Sequence, residues 1–243
     1  MFSNELAERR REALRRDFVA NVSHELKTPA GALALLAEIM VSEEDPDVLH
    51  RLAARMLTEA DRLNVMIEDL LDFSRVELEE RPRRAQISVQ AIVSDALERV
   101  AGAAHARDIR LDVADVPSEL LVNGSSKQLA SALGNLIENA VKYSLEHGTV
   151  TVSIVEVGSR LEIRIQDRGI GISAQDVPHI FDRFFRADAA REREAAGAGL
   201  GLAIVRQVAA DHDGEVLVST QEGRGSTFTL RLPIAVPAAI EAV

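Results

Sequence analysis

The chain has 243 residues, with 28 Lys and Arg against 39 Asp and Glu, and its net charge of −11 argues against a general nucleic-acid binder. It contains no Cys and no Trp, one Tyr and seven Phe, which excludes disulfide frameworks, thiolate catalysis and Cys-ligated zinc. At 47% hydrophobic and 28% charged residues it is globular rather than disordered, and its length favours two domains.

No run approaches the roughly 18 apolar residues of a membrane span and no signal peptide opens the chain, so the sequence as given is expected to be soluble. The start is basic, with Arg9, Arg10, Arg11, Arg15 and Arg16 close together. Such a run reads as a solvated helix face or as a juxtamembrane or inter-domain segment of a longer parent.

From about residue 5 to 80 the apolar spacing is helical. Phe18, Val22, Leu26, Leu33 and Met40 mark one stripe. Leu49, Met56, Leu63 and Leu70 recur every seven residues as another, with Leu52, Met66 and Phe73 in companion positions and Glu59 interrupting. The acidic, Pro-bearing stretch Ser42–Asp47 separates the two. Two long amphipathic helices in a hairpin cannot bury both stripes alone, so dimerisation into a four-helix bundle is expected.

Residues 81–86 read as a linker. Strand-like runs follow at 86–89, 109–113, 150–157, 161–165, 215–219 and 227–232, and helical patterns at about 90–104, 126–143 and 200–211. The result is an α/β sandwich with a long irregular segment between about 168 and 199, of the kind that carries function or moves.

Helical geometry turns His24 away from the stripe through Val22 and Leu26, toward solvent. Thr28 shares its face and Glu25 is adjacent around the helix. Pro29 cannot donate to the carbonyl of Glu25, so a kink or a free acceptor is expected one turn from the imidazole. A zinc reading fails, because H-E-x-x-H needs a second His where Thr28 stands. An exposed helical His alone is usually inert.

Asn135, Glu138, Asn139 and Lys142 form one polar strip at helical spacing, with oxygen donors that suit Mg²⁺ or, equally, an ordinary solvated face. Asp167 ends a strand before Gly169 and Gly171, where a carboxylate can accept from an exocyclic amine and the glycines admit close approach; a simple Asp-Gly turn looks the same. Gly197, Gly199 and Gly201 precede a helix whose free N–H groups suit phosphates. No P-loop and no full dinucleotide fingerprint occurs.

Taken in order, S-H-E-L-K-T-P around His24, N-L-I-E-N-A-V-K-Y-S at 135–144, D-R-G-I-G-I at 167–172, F-D-R-F-F-R at 181–186 and G-A-G-L-G-L-A-I-V at 197–205 resemble the H, N, G1, F and G2 boxes of sensor histidine kinases. G-R-G-S-T-F at 223–228 is a later Gly turn, and the likeness runs from about residue 17 to 233, with a more particular similarity to actinobacterial phosphate-type sensor kinases. It implies a multidomain chain: an all-α helical hairpin forming a dimeric four-helix bundle, then an α/β sandwich of the GHKL (Bergerat) ATPase type. The expected division is a helical lead-in at 1–16, a dimerisation and phosphotransfer domain at 17–80, the linker at 81–86, an ATP-binding domain at 87–233 and a tail at 234–243.

By the same resemblance His24 is the phosphoacceptor, Glu25 orients its proton and Thr28 serves regulator dephosphorylation. Asn139, with Asn135, holds Mg²⁺; Lys142 meets ATP phosphates, Tyr143 packs near the adenine and Asp167 reads it beside Gly169 and Gly171. Phe184 and Arg186 in the F-box, Gly197, Gly199, Leu200, Gly201 and Leu202 in the G2-box, and Thr227 complete the nucleotide contacts. Phe181, Phe184 and Phe185 form a local core or anchor a lid over the ATP. Ala196 and Ala198 stand where the family carries Gly and Ser or Thr; the lost hydroxyl is expected to weaken phosphate contacts or lid ordering, while a backbone-built site survives. The expected partners are a second copy of the chain and a response regulator, with no nucleic acid and a membrane only through a parent region that anchors this cytoplasmic portion. A catalytically silent scaffold, and an ATPase of the chaperone, topoisomerase or mismatch-repair kind, are the alternatives.

Overall fold

The computed structural model of the chain describes residues 22–24, 26–78, 85–187 and 198–235. By its contacts the protein divides into two compact units, one centred on the residues up to Asp72 and one on those from Phe73 onward.

The first unit is helical. Helix α1 covers 26–42, with 22–24 helical before it, and α2 covers Pro46–Leu78. The acidic turn between them is built by its own side chains. Glu43 Oε1 accepts from the N–H groups of Glu44 and Asp45 at 3.0 and 2.9 Å. Asp45 Oδ1 accepts from the Asp47 N–H at 2.9 Å, capping α2 with Pro46 in the first helical position, where a missing N–H costs nothing. At 33 residues α2 is about 50 Å long. Leu49, Met56, Leu63 and Leu70 are all half-buried along it, as the heptad spacing requires. Leu35, Ile39, Val41, Leu57, Ile67 and Leu71 are exposed, so the pair of helices leaves apolar surface uncovered.

The second unit is an α/β sandwich. Strands β1 (Ala85–Ser88) and β3 (Leu121–Gly124) form a small antiparallel pair. A five-stranded sheet in the order β2-β4-β5-β7-β6 is made of β2 (Arg110–Val113), β4 (Thr149–Val157), β5 (Arg160–Gln166), β6 (Glu215–Gln221) and β7 (Gly225–Pro233). Among the described residues only the β2–β4 pairing is parallel. Helices α3 (Val89–Ala106), α4 (Ser126–Tyr143) and α5 (Gly201–Asp211) supply the other layer. Val150, Val152, Ile163, Ile165 and Leu230 of the sheet and Leu129, Leu133, Leu136, Ile137 and Ile204 of the helices are all fully buried. Along β7 the alternation is strict: Ser226, Phe228, Leu230 and Leu232 are buried, while Thr227, Thr229 and Arg231 lie on the other face.

That other face is mixed, carrying exposed Val155, Val157 and Leu217 beside its charges, and its central carboxylate is covered by cations. Glu162 is 4% exposed and accepts from Arg164 Nε and Nη2 at 3.0 and 2.6 Å and from Arg231 Nε and Nη2 at 2.9 and 2.7 Å. Arg231 also donates to Glu215 at 2.8 Å. These hydrogen bonds and the two positive charges hold the Glu162 carboxyl below the usual carboxylate range.

His212, at the end of α5, is 2% exposed and fully paired as the neutral imidazole: Nδ1–H donates to Val208 O at 2.7 Å, and Nε2 accepts from the Ser125 N–H at 3.0 Å. Gly124 makes room for it, since a Cβ there would lie 2.1 Å from His212 Cδ2.

The structure departs from the sequence expectation in three places. Strand β1 starts at Ala85, inside the expected linker, and Val89 already belongs to α3. Strand β3 is additional; at four residues ending in Gly it carries too short a pattern to read. The irregular segment is partly built: Ser173 Oγ bonds Asp176 Oδ2 at 2.9 Å, and hydrogen-bonded turns continue to Phe185.

Candidate active site

His24 is exposed on its helix while Val22 and Leu26 are half-buried, so the imidazole points where the spacing indicated. Thr28, also exposed, donates its hydroxyl back to His24 O at 3.4 Å. Helix α1 continues through Pro29, which is buried, up to residue 42. Glu25, Ala196 and Gly197 lie outside the described residues.

The other residues of interest gather at the C-terminal half of α4 in the second unit. Ser125 caps the start of this helix, its hydroxyl accepting from the Gln128 N–H at 3.5 Å. Eleven of its residues are buried, which fixes the rotation that leaves Asn135, Asn139, Lys142 and Tyr143 half-buried and Glu138 exposed. Lys142 Nζ sits 5.4 Å from the centroid of the Tyr143 ring. Burial pushes the Tyr143 hydroxyl above its ordinary value, and the positive charge of Arg186 opposes the shift.

The tyrosine's carbonyl holds the next element. Tyr143 O accepts from the Ile170 N–H at 3.2 Å, and a Cβ at position 169 would lie 2.0 Å from that oxygen, so only glycine fits. Gly171 has φ +66°, and a Cβ there would lie 2.1 Å from Gln221 O. Between strand and loop, Asp167 is 5% exposed; its Oδ1 accepts from the N–H groups of Gly169 and Ser226 at 2.8 and 3.2 Å. Both of these donors meet Oδ1 rather than Oδ2. Burial raises the Asp167 carboxyl above the usual range, with the N–H donors of Gly169 and Ser226 opposing.

A second cluster surrounds the start of α5. Gly199, at φ +71°, accepts from the Phe184 N–H at 3.1 Å, and a Cβ on it would come within 2.8 Å of Phe185 O. Phe184 itself is left-handed, at φ +63°. Leu200 is fully buried and sits at the N-cap of α5, which has no side-chain cap; Leu202 is half-buried. Gly201 faces Asn135, whose Oδ1 would lie 3.4 Å from a Cβ there. Ala198 is buried. The three F-box phenylalanines do not form one stack: Phe181 meets Phe228 edge-on at 6.5 Å, and Phe185 meets the His179 ring at 5.7 Å.

Thr227 is not brought together with these residues. It pairs with Gln166 and Ser219 on the sheet face opposite Ser226. Ser226 takes the inner place instead, its hydroxyl 2.9 Å from Thr220 Oγ1, which in turn accepts from the Ile172 N–H at 3.0 Å. The alternation of Phe228, Leu230 and Leu232 was the signal that would have selected Ser226.

Among the described residues no three His, Cys, Asp or Glu side chains cluster as a metal site. Asn135 and Asn139, one turn apart and half-buried, offer hard amide oxygens, which fit a cation that takes few protein ligands and completes its shell with water and phosphate.

Comparison with known proteins adds the family. Residues 14–79 match the His Kinase A (phospho-acceptor) domain, and residues 124–236 match the histidine kinase-, DNA gyrase B- and HSP90-like ATPase family. The sensor-like histidine kinase SenX3 of Mycobacterium tuberculosis is 48% identical over 231 residues, 94% of this chain and 56% of that protein. The phosphate regulon sensor protein PhoR of Pseudomonas aeruginosa is 34% identical over 222 residues, 90% of this chain and 50% of that protein, in keeping with the phosphate-type similarity. The solved mycobacterial sensor histidine kinase MprB is 32% identical with a TM-score of 0.54, covering 62% of this chain and 97% of that one. The chain thus spans about half the length of the curated relatives it matches. The chain belongs to the sensor histidine kinases.

Proposed function

We propose that the chain transfers the γ-phosphoryl group of Mg·ATP to His24 and then to an Asp of a response regulator. The observation that carries the reading is Asp167: a buried carboxylate with one oxygen held by the N–H groups of Gly169 and Ser226, inside a domain of the ATPase family. Its Oδ2 accepts from the adenine amine, Gly169 and Gly171 admit the base, and Tyr143 packs against it. Lys142 and Arg186 meet phosphate oxygens, Asn139 with Asn135 holds Mg²⁺, and backbone N–H groups from Gly197 to Leu202 receive the phosphates, with Phe184 beside them. Bound Mg²⁺ supplies charge neutralisation on the phosphates.

One ring nitrogen of neutral His24 forms the N–P bond as the bond from the γ-phosphorus to the bridging oxygen breaks and ADP leaves. Glu25 accepts the proton of the other ring nitrogen. Thr28 orients the water that dephosphorylates the regulator. The exposed Leu35, Ile39, Leu57, Ile67 and Leu71 support a homodimer in which the two hairpins cover one another. The protein works on the cytoplasmic side of the bacterial inner membrane, anchored through a region of a longer parent; among the described residues no helix is long and apolar enough to cross a membrane.

Incubation with [γ-³²P]ATP and Mg²⁺ tests the proposal. The wild type is expected to label in an acid-labile, alkali-stable way and His24→Gln not at all; label retained in His24→Gln would overturn the phosphoacceptor assignment.

A further inference from the structure

Two of the residues assigned to the nucleotide on α4, Lys142 and Tyr143, stand on its last turn, where a helix has carbonyls with no partner of its own. Three consecutive carbonyls there are taken from outside. Arg107 Nη1 donates to Lys142 O, Ile170 N–H donates to Tyr143 O at 3.2 Å, and Arg107 Nη2 donates to Ser144 O at 3.3 Å. The guanidinium therefore straddles the carbonyl that docks the Gly169–Ile170 loop. It reaches across from the C-cap of α3, 35 residues earlier in the chain.

We infer that Arg107 is a positioning residue for the nucleotide, setting the exit of α4 so that Lys142, Tyr143 and the loop after Asp167 are held in one arrangement. The inference rests on the ATP reading given above. Its chemistry is specific to arginine. A planar fork can serve two carbonyls two residues apart, and its fixed charge suits the negative end of the helix. Lysine keeps the charge but donates from a single point, so it cannot span both oxygens. The adjacent Asp108–His147 pair joins the same two loops, with Oδ2 and Nδ1 2.6 Å apart, but both side chains are exposed and neither touches α4's last carbonyls. It is the natural control.

The test measures Mg·ATP binding, the KM for ATP and the His24 labelling rate at saturating ATP, with thermal unfolding of each variant alongside. Arg107→Ala is expected to raise KM roughly tenfold, the size of one lost charge-assisted hydrogen bond, with the saturated rate within about twofold of wild type. Arg107→Lys should recover part of the loss, and Asp108→Ala should leave KM unchanged. An unchanged KM in Arg107→Ala, or an equal rise in Asp108→Ala, overturns the proposal. Where Arg107→Ala does not fold, Arg107→Lys decides alone: a KM rise of about threefold at near-normal melting temperature supports it, and an unchanged KM overturns it. A wild type that binds no ATP would instead defeat the functional reading, and this inference with it.

Discussion

The surroundings of His24 and of Asp167 are opposites. His24 stands in solvent on a helix whose fold depends on other faces, and a neighbouring hydroxyl touches only its backbone. Asp167 is buried, with one oxygen pinned by two N–H groups and followed by two glycines that tolerate no Cβ. A group that is itself transferred to must be reachable and replaceable at no structural cost. A group that recognises must be fixed beforehand, and stability is given up to fix it.

The sharpest break of that contrast is Gly169→Ala. A Cβ 2.0 Å from Tyr143 O forces loop and helix apart, costing about 3 kcal/mol at the upper end for overpacking. Thermal denaturation should show a clear loss, and nucleotide binding should vanish; His24→Gln, by comparison, should melt with the wild type. A Gly169→Ala protein that bound ATP normally would mean the loop is not held as described.

Asp167→Asn should separate stability from recognition. Because burial is the main cause of the raised carboxyl pKa, the folded state holds that proton more readily than the unfolded chain. Apo stability therefore rises as pH falls from the raised value toward the unfolded one, while a base-accepting carboxylate is lost over the same window. Wild-type ATP affinity should fall as pH drops through the raised value. The Asn variant should bind about tenfold more weakly, lose that pH dependence and be at least as stable without ligand. A calorimetric titration at two pH values checks all three.

The smallest effect belongs to the outer face of the sheet. Glu162 is held below the ordinary range, so its contribution is present above the unfolded carboxylate pKa of about 4.3 and disappears as pH falls through the lower folded value. Glu162→Gln should be less stable at neutral pH and flatter in its acid denaturation below pH 4, with ATP binding untouched. An acid transition identical to wild type would remove the network from the stability account.

Much of this was legible in the sequence, and the misses have physical causes. The outward face of His24, the heptads of α2, and the glycines at 169, 171, 199 and 201 follow from periodicity and from motifs whose residues are near neighbours. Thr227 is the expected contact, but the alternation of β7 points to Ser226, so there the signal was present. Glu162, Arg164 and Arg231 read as an ordinary solvated strand face; that a carboxylate at 4% exposure lies beneath two guanidiniums depends on β5 pairing with β7 in one register. Arg107 carries no local signal, because its partners lie 35 and 37 residues away.

The buried imidazole at 212 has a consequence for substitution. Gly124 and His212 fill one slot between the start of α4 and the end of α5, with a single side chain's worth of room. Enlarging position 124 requires shrinking position 212, and shrinking 212 alone leaves a void and a Ser125 N–H without its acceptor. The two positions thus behave as one allele: double exchanges can be neutral where each single step is harmful, and this end of the helix pair can change only by paired replacement.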